Sequence, residues 1–188
     1  CMEQKAKNEW TKTHRKSPNP YAGLARMNII TYNLARELHK YRTAELKGFN
    51  FAELFRTEFI ESNNKKPLSR FVHEDDVRKF LQLIGANSSN KLYPYANKQL
   101  DGSLNHTLWY VPGVQAAHCL ARLLAEDRKD NPFAQYTIVD VAGDADDERY
   151  DLYEQTRRDR DALKRVKKAI AGNDKTITLS CGRLTMGV

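Results

Sequence analysis

No apolar run in this chain approaches the roughly 18 residues that a membrane-spanning helix needs. No apolar stretch follows Cys1-Met-Glu-Gln-Lys-Ala-Lys at the N-terminus, as a secretory signal would require. The expectation from both absences is a cytoplasmic protein without a membrane partner. Cysteine is scarce: Cys1, Cys119 and Cys181 are odd in number, far apart and never in CxxC spacing. Neither a disulfide framework nor a zinc site is indicated, so reduced thiols are expected. His118-Cys119 lies in a helical pattern and gives no ligand pair at i, i+4; Cys119 reads as packing and His118 as surface. Phosphate-binding signatures are missing too. Without G-x-x-x-x-G-K-[ST], the chain cannot cradle a nucleoside triphosphate in a P-loop of its own, and without G-x-G-x-x-G a dinucleotide fold is disfavoured. There is no G-x-S-x-G elbow, H-E-x-x-H pair or EF-hand loop. Asp144, Asp146, Asp147 and Glu148 lack the turn glycine and closing glutamate of a calcium loop and read as a solvated acidic loop. No metal site and no catalytic residue is expected within this chain.

What is present is a soluble, basic composition. Of 188 residues, 40% are hydrophobic and 29% charged, with a net charge of +7; the mean hydropathy is −0.71 and the pI about 9.3. That length supports one sizeable core, or a core plus a small subdomain. The positive balance is compatible with nucleic-acid phosphates.

Residues 1–26 form a polar, basic lead-in broken by Ser17-Pro-Asn-Pro20. Met27–Tyr32 reads as a short buried strand. From about 33 to 105 the pattern predicts a helical insertion. Leu34, Leu38 and Tyr41 share one face of a helix stopped by Gly48. Phe51, Leu54, Phe55 and Phe59 form the stripe of another helix. Glu74–Ile84 is the clearest helix, with acids in its first turn, Val77, Phe80, Leu81 and Ile84 inward, and Gly85 as its stop. His73-Glu-Asp-Asp76 therefore reads as a helix start, and the aromatic stripes read as core. Residues 86–105 connect.

Strand and helix then alternate. Thr107–Val111 is a strand, Val114–Glu126 a helix with Val114, Ala117, Leu120, Ala121 and Leu124 inward, and Tyr136–Ala142 a strand. Arg158–Ala171 is a helix with Leu163, Val166 and Ile170 inward, and Thr176–Ser180 the last strand. This β-α-β-α-β order within 107–188 implies parallel strands with right-handed crossovers. Each strand runs into a glycine-containing loop, at Gly113, at Gly143, and at Gly182 with Gly187. Parallel strands bring all three loops to one edge, where backbone N–H groups can approach a phosphate.

Three stretches carry a family resemblance: His106-Thr-Leu-Trp-Tyr-Val-Pro-Gly-Val-Gln-Ala-Ala, Ile138-Val-Asp-Val-Ala-Gly-Asp144 and Thr176-Ile-Thr-Leu-Ser-Cys-Gly-Arg-Leu-Thr-Met-Gly-Val188. With Phe49-Asn-Phe-Ala-Glu-Leu-Phe, Phe71-Val-His-Glu-Asp-Asp-Val and Tyr93-Pro-Tyr-Ala-Asn upstream, residues 27–188 resemble the second RecA-like domain of superfamily 2 helicases of the bacterial restriction-enzyme type. The resemblance implies an α/β fold, a RecA-like parallel sheet with flanking helices. It implies that Pro112, Gly113, Val114 and Thr185 touch the DNA backbone, and that Gly182, Arg183, Thr185 and Gly187 belong to motif V beside the interdomain ATP cleft. Met186 stands where relatives more often carry a second threonine. ATP and Mg would bind in a longer parent and not to this chain alone. The other partners would be DNA, the first RecA-like domain, and nuclease or methyltransferase parts of a restriction system.

The expectation is thus a fragment of an ATP-dependent helicase or translocase, itself inactive, that stops inside motif V and whose Cys1 suggests a tag remnant or a segment lifted from a longer protein. The alternative is a non-catalytic nucleic-acid-binding α/β module. A small-molecule enzyme of flavodoxin-like fold would need a nucleophile or acid–base pair that the sequence does not offer.

Overall fold

A computed structural model of the chain describes residues 29–32, 34, 38–41, 49–60, 68–86, 88–100, 103–143 and 152–181. The chain divides into two compact units, Cys1–Asn33 and Leu34–Val188. In the first unit, residues 29–32 form no strand, which corrects the reading of Met27–Tyr32. Ile29 and Ile30 are 82% and 51% exposed, and a strand needs a neighbour to take up its backbone N–H and C=O groups.

The second unit opens with Leu34, Leu38 and Tyr41, all buried as their spacing predicts. Only a 3-10 turn, His39–Tyr41, is seen here; the rest of the helix expected before Gly48 lies outside the described residues. Helix α1 spans Phe51–Leu54, its N-terminus capped by the Asn50 side chain, which accepts from Glu53 N at 3.0 Å. The helix expected to run through Phe59 stops there. Thr57–Ile60 is instead strand β1, antiparallel to β2, Leu68–Phe71, with Thr57 opposite Phe71 and Ile60 opposite Leu68. The aromatic spacing suits a helix, but pairing with β2 wins and leaves Phe59 68% exposed. The N-terminal half is therefore mixed and not simply helical. Phe55, at the corner, meets Phe71 and Phe80 with ring centroids 5.8 and 5.7 Å apart.

Helix α2, Glu74–Ile84, matches its pattern residue for residue, with Val77, Phe80, Leu81 and Ile84 buried. Gly85 closes it by donating N–H to Leu81 O at 2.9 Å. A Cβ there would lie 2.5 Å from Pro132 Cβ, so glycine is required by close approach. Two 3-10 turns follow, Pro94–Ala96 and Lys98–Leu100.

Then come β3 (His106–Tyr110), α3 (Val114–Leu124), β4 (Thr137–Asp140), α4 (Leu152–Gly172) and β5 (Thr176–Ser180). All three strands are parallel, in the order β3-β5-β4. The step from β3 to β4 passes over β5's place and the step from β4 to β5 returns. Right-handed crossovers in opposite directions put α3 and α4 on opposite faces. Every residue of β5 is consequently buried, as expected for a parallel strand covered on both faces. On one face Val139 and Val141 pack with Ala162, Val166 and Ala169 of α4. Ile170, read as inward, is 40% exposed; the small Ala162 and Ala169 let the helix approach instead. On α3 the buried residues are Ala116, Ala117, Cys119, Leu120, Leu123 and Leu124, while Val114 and Ala121 are half-buried. Among the described residues no helix is long and apolar enough to cross a membrane.

Candidate site at the carboxyl edge of the parallel sheet

The strand ladder continues past the regular elements. Val111 N donates to Ser180 O at 2.8 Å and Val141 N to Leu179 O at 2.9 Å. The three chain exits are thereby tied side by side at one edge, as the parallel order requires. Pro112 and Gly113 turn the chain from β3 into α3, and Val114 is the first residue of that helix. Gly113 has φ of 179°, extended backbone open to any residue, and a Cβ added there would meet nothing within 4 Å. Neither conformation nor packing demands glycine here. Gly143, behind β4, has φ of 108°, where side chains are strained.

The starts of α2 and α3 differ. Helix α2 has Glu74, Asp75 and Asp76 in its first turn. Helix α3 has no acid in its first turn and no side-chain cap. Its leading N–H groups and the positive end of its dipole therefore lack an anionic answer from their own helix.

Asp140, the last residue of β4, organises the edge. Its Oδ1 accepts from Ala142 N at 3.0 Å and shapes the turn to Gly143. Its Oδ2 contacts His118 Nδ1 on α3, and its backbone oxygen accepts from Arg165 Nη2 of α4 at 2.8 Å. One residue thus holds both flanking helices to the strand end. The His118 and Asp140 side chains are 40% and 20% exposed. Sequence reading placed His118 on the surface and did not pair it with Asp140, 22 positions away. The available signal was local: an aspartate closing a strand just before a glycine is poised to cap its own turn.

Among the described residues, the edge presents the backbone N–H groups at the start of α3 and few reactive side chains. Burial pushes the Cys181 thiol above its usual pKa, so it is protonated and a weak nucleophile. Burial raises Cys119 as well, against the opposing pull of Arg122, whose Nη2 lies 3.4 Å from the sulfur; this residue is 2% exposed and packs as expected. Among the described residues, no three His, Cys, Asp or Glu side chains gather to hold a metal ion. Asp144, Asp146, Asp147 and Glu148 lie outside those residues, as do Gly182, Arg183, Thr185 and Gly187. Pro112, Gly113 and Val114 are brought to the edge beside α3's N-terminus.

No family model matches the sequence, and no solved structure matches it significantly. A Mycoplasma pneumoniae protein provisionally named as the C-terminus of a type II restriction enzyme and methyltransferase is 27% identical over 202 residues. The match takes in 99% of this chain and 26% of that relative. This chain therefore spans about a quarter of the relative, end to end, and is similar to a segment of a restriction–modification protein.

Proposed function

We propose that this chain is the backbone-gripping half of a DNA-translocating motor in a restriction–modification system, the part that supplies one wall of the ATP cleft. The observation that carries the reading is the pairing of Gly113, with open space where a side chain would be, and the N-terminus of α3, with no acid or side-chain cap of its own. Uncapped amides beside an unobstructed backbone are suited to a phosphate oxygen. Such contacts carry no base information, so binding would be indifferent to sequence and weakened by salt. The restriction–modification context comes from the named relative; the motor comes from the resemblance of the strand-end stretches. In this reading Pro112, Gly113, Val114 and Thr185 follow the DNA backbone, and Gly182, Arg183, Thr185 and Gly187 border the cleft. ATP and Mg would be held chiefly by parts outside this chain, which carries no P-loop, and no step of their chemistry falls to the described residues. Nuclease or methyltransferase parts would be its partners in the parent.

The test is fluorescence anisotropy with two duplexes of unrelated sequence across a salt series. The expected result is equal affinity for both and a log K that falls with log salt by about 0.9 per phosphate contacted. Gly113→Val is expected to weaken binding without lowering Tm. Sequence-selective or salt-independent binding overturns the reading. ATP turnover is expected from a parent bearing a P-loop and absent from this chain. A parent with a P-loop whose DNA binding ignores ATP would leave only the non-catalytic binding module.

A further inference from the structure

The residues that immediately precede the three parallel strands, Asn105, Tyr136 and Lys175, come together at the opposite edge of the sheet and line one cavity of about 260 Å³. Its floor is tied into the ladder: Thr176 N donates to Asn105 O at 2.7 Å and Thr137 N to Lys175 O at 2.9 Å. The facing wall is the segment of Lys91 and the two 3-10 turns, which contributes Tyr95, Asn97 and Lys98. Tyr95 turns its hydroxyl into the fold, accepting from Trp109 Nε1 at 2.8 Å and bonding Thr107 Oγ1 at 3.0 Å. Its ring meets that of Tyr136 edge-on, centroids 5.7 Å apart. The cavity is thus built on the sheet and braced by aromatic contacts.

Its charge is one-sided. Lys91, Lys98 and Lys175 line it and no carboxylate among the described residues does; Asp101 lies outside those residues. Among the described residues, Lys91 Nζ donates only to a backbone oxygen, Ser88 O at 2.9 Å. Lys175 Nζ lies 3.1 Å from Gln135 Oε1 and 5.6 Å over the Tyr136 ring. Several described cations elsewhere do meet acids: Lys40 with Asp76, Arg70 with Glu58, Arg78 with Glu74 and Glu126. Three ammonium groups around one concave surface, without an acid, raise a local positive potential that favours an anion. Asn97 Oδ1 accepts from Gln99 N at 3.0 Å, which leaves its NH2 group to donate. The volume falls below the ~300–1,000 Å³ of drug-sized ligand pockets, which limits the occupant to about one nucleotide unit.

We propose that this cavity is a phosphate-ester site that holds the phosphate of one nucleotide between Lys91, Lys98 and Lys175, with the sugar and base along Tyr136. The nucleotide is either free or one unit of a single strand. The assignment is independent of the carboxyl-edge reading, because none of its residues belongs to that edge.

The test is lysine-selective acetylation of the chain, read by mass spectrometry, with thymidine 5′-monophosphate, a short oligothymidylate or neither present; calorimetry supplies the affinities. Protection is expected at Lys91, Lys98 and Lys175 and not at Lys167 or Lys168, which are exposed on α4. It is expected to persist in Gly113→Val, separating this site from the other edge. The double variant Lys91→Glu, Lys98→Glu is expected to bind about tenfold or more weakly and, for the oligothymidylate, to lose about 0.7 from the salt slope per lysine removed. Lys167→Glu, Lys168→Glu carries the same net charge and is expected to bind like the parent. All four lysines are exposed, so both variants should keep the parent Tm. Tighter binding of the monophosphate identifies a free nucleotide, and tighter binding of the oligomer identifies a strand. Absence of protection with either probe, or equal weakening by the two charge-matched variants, overturns the proposal.

Discussion

Gly113 and Gly143 stand behind the ends of the two outer parallel strands, β3 and β4, yet only one of them is required by its backbone. Gly143, at φ of 108°, should lose about 1–2 kcal/mol on replacement by alanine, since a side chain there meets its own carbonyl. Gly113 is extended and open, so Gly113→Ala should leave thermal unfolding unchanged. Gly85 has a third reason: Pro132 Cβ occupies the space a side chain would take, 2.5 Å away. Gly85→Ala should cost about 1–3 kcal/mol, as overpacking does, measured by urea titration. At Asp140 the count of bonds sets the order of effects. Its carboxylate serves both Ala142 N and His118, so Asp140→Ala should destabilise more than His118→Ala, by about 1–3 kcal/mol where a buried donor is left unmet.

Among the elements, α2 was fully legible, because everything that specifies it is local. Acids open it, Val77, Phe80, Leu81 and Ile84 recur at helical spacing, and Gly85 stops it. β1 was not legible, because Phe51, Leu54, Phe55 and Phe59 satisfy a helical period while the deciding partner, β2, comes from residues further along the chain. The parallel character of β3, β4 and β5 could be read from the alternation of strand and helix; their order could not, because it depends on which strand the last one slides between. The pocket at the amino edge was illegible for the same reason: Lys175 comes from a stretch of chain far from the segment that carries Lys91 and Lys98. The pairing of α2 with the segment after α3 also depends on distant residues. Arg78 bonds Glu126 through Nη1 and Nη2 at 2.7 and 2.9 Å, and Glu74 through Nε and Nη2. Hydrogen bonding to Arg78 outweighs burial and holds the Glu126 carboxyl below its usual pKa. A depressed carboxyl contributes stability above its unfolded pKa, ordinarily about 4.3 for glutamate, and that contribution is lost as pH falls through the lower folded value. Arg78→Met should therefore lower Tm at neutral pH and flatten the decline of Tm below about pH 4.3. Parallel curves for the two proteins would rule out this coupling.

For the whole molecule, β5 is the strand on which the sheet depends. Leu179 is fully buried and its carbonyl receives Val141 N. Leu179→Ala should cost about 2–5 kcal/mol, with the loss visible in the unfolding of both α/β faces together. Substitutions on the exposed faces of α4 should stay within about 0.5 kcal/mol. The same placement has a consequence for synthesis. β3 and β4 do not pair with each other; each pairs only with β5. While a ribosome is making this protein, both flanking strands exist for some time with open edges, and such edges are hazards for aggregation. The sheet can close only after Ser180 has left the exit tunnel. Nascent chains arrested before Thr176 should therefore remain protease-sensitive at β3 and β4, and chains arrested well beyond Ser180 should become resistant in one step.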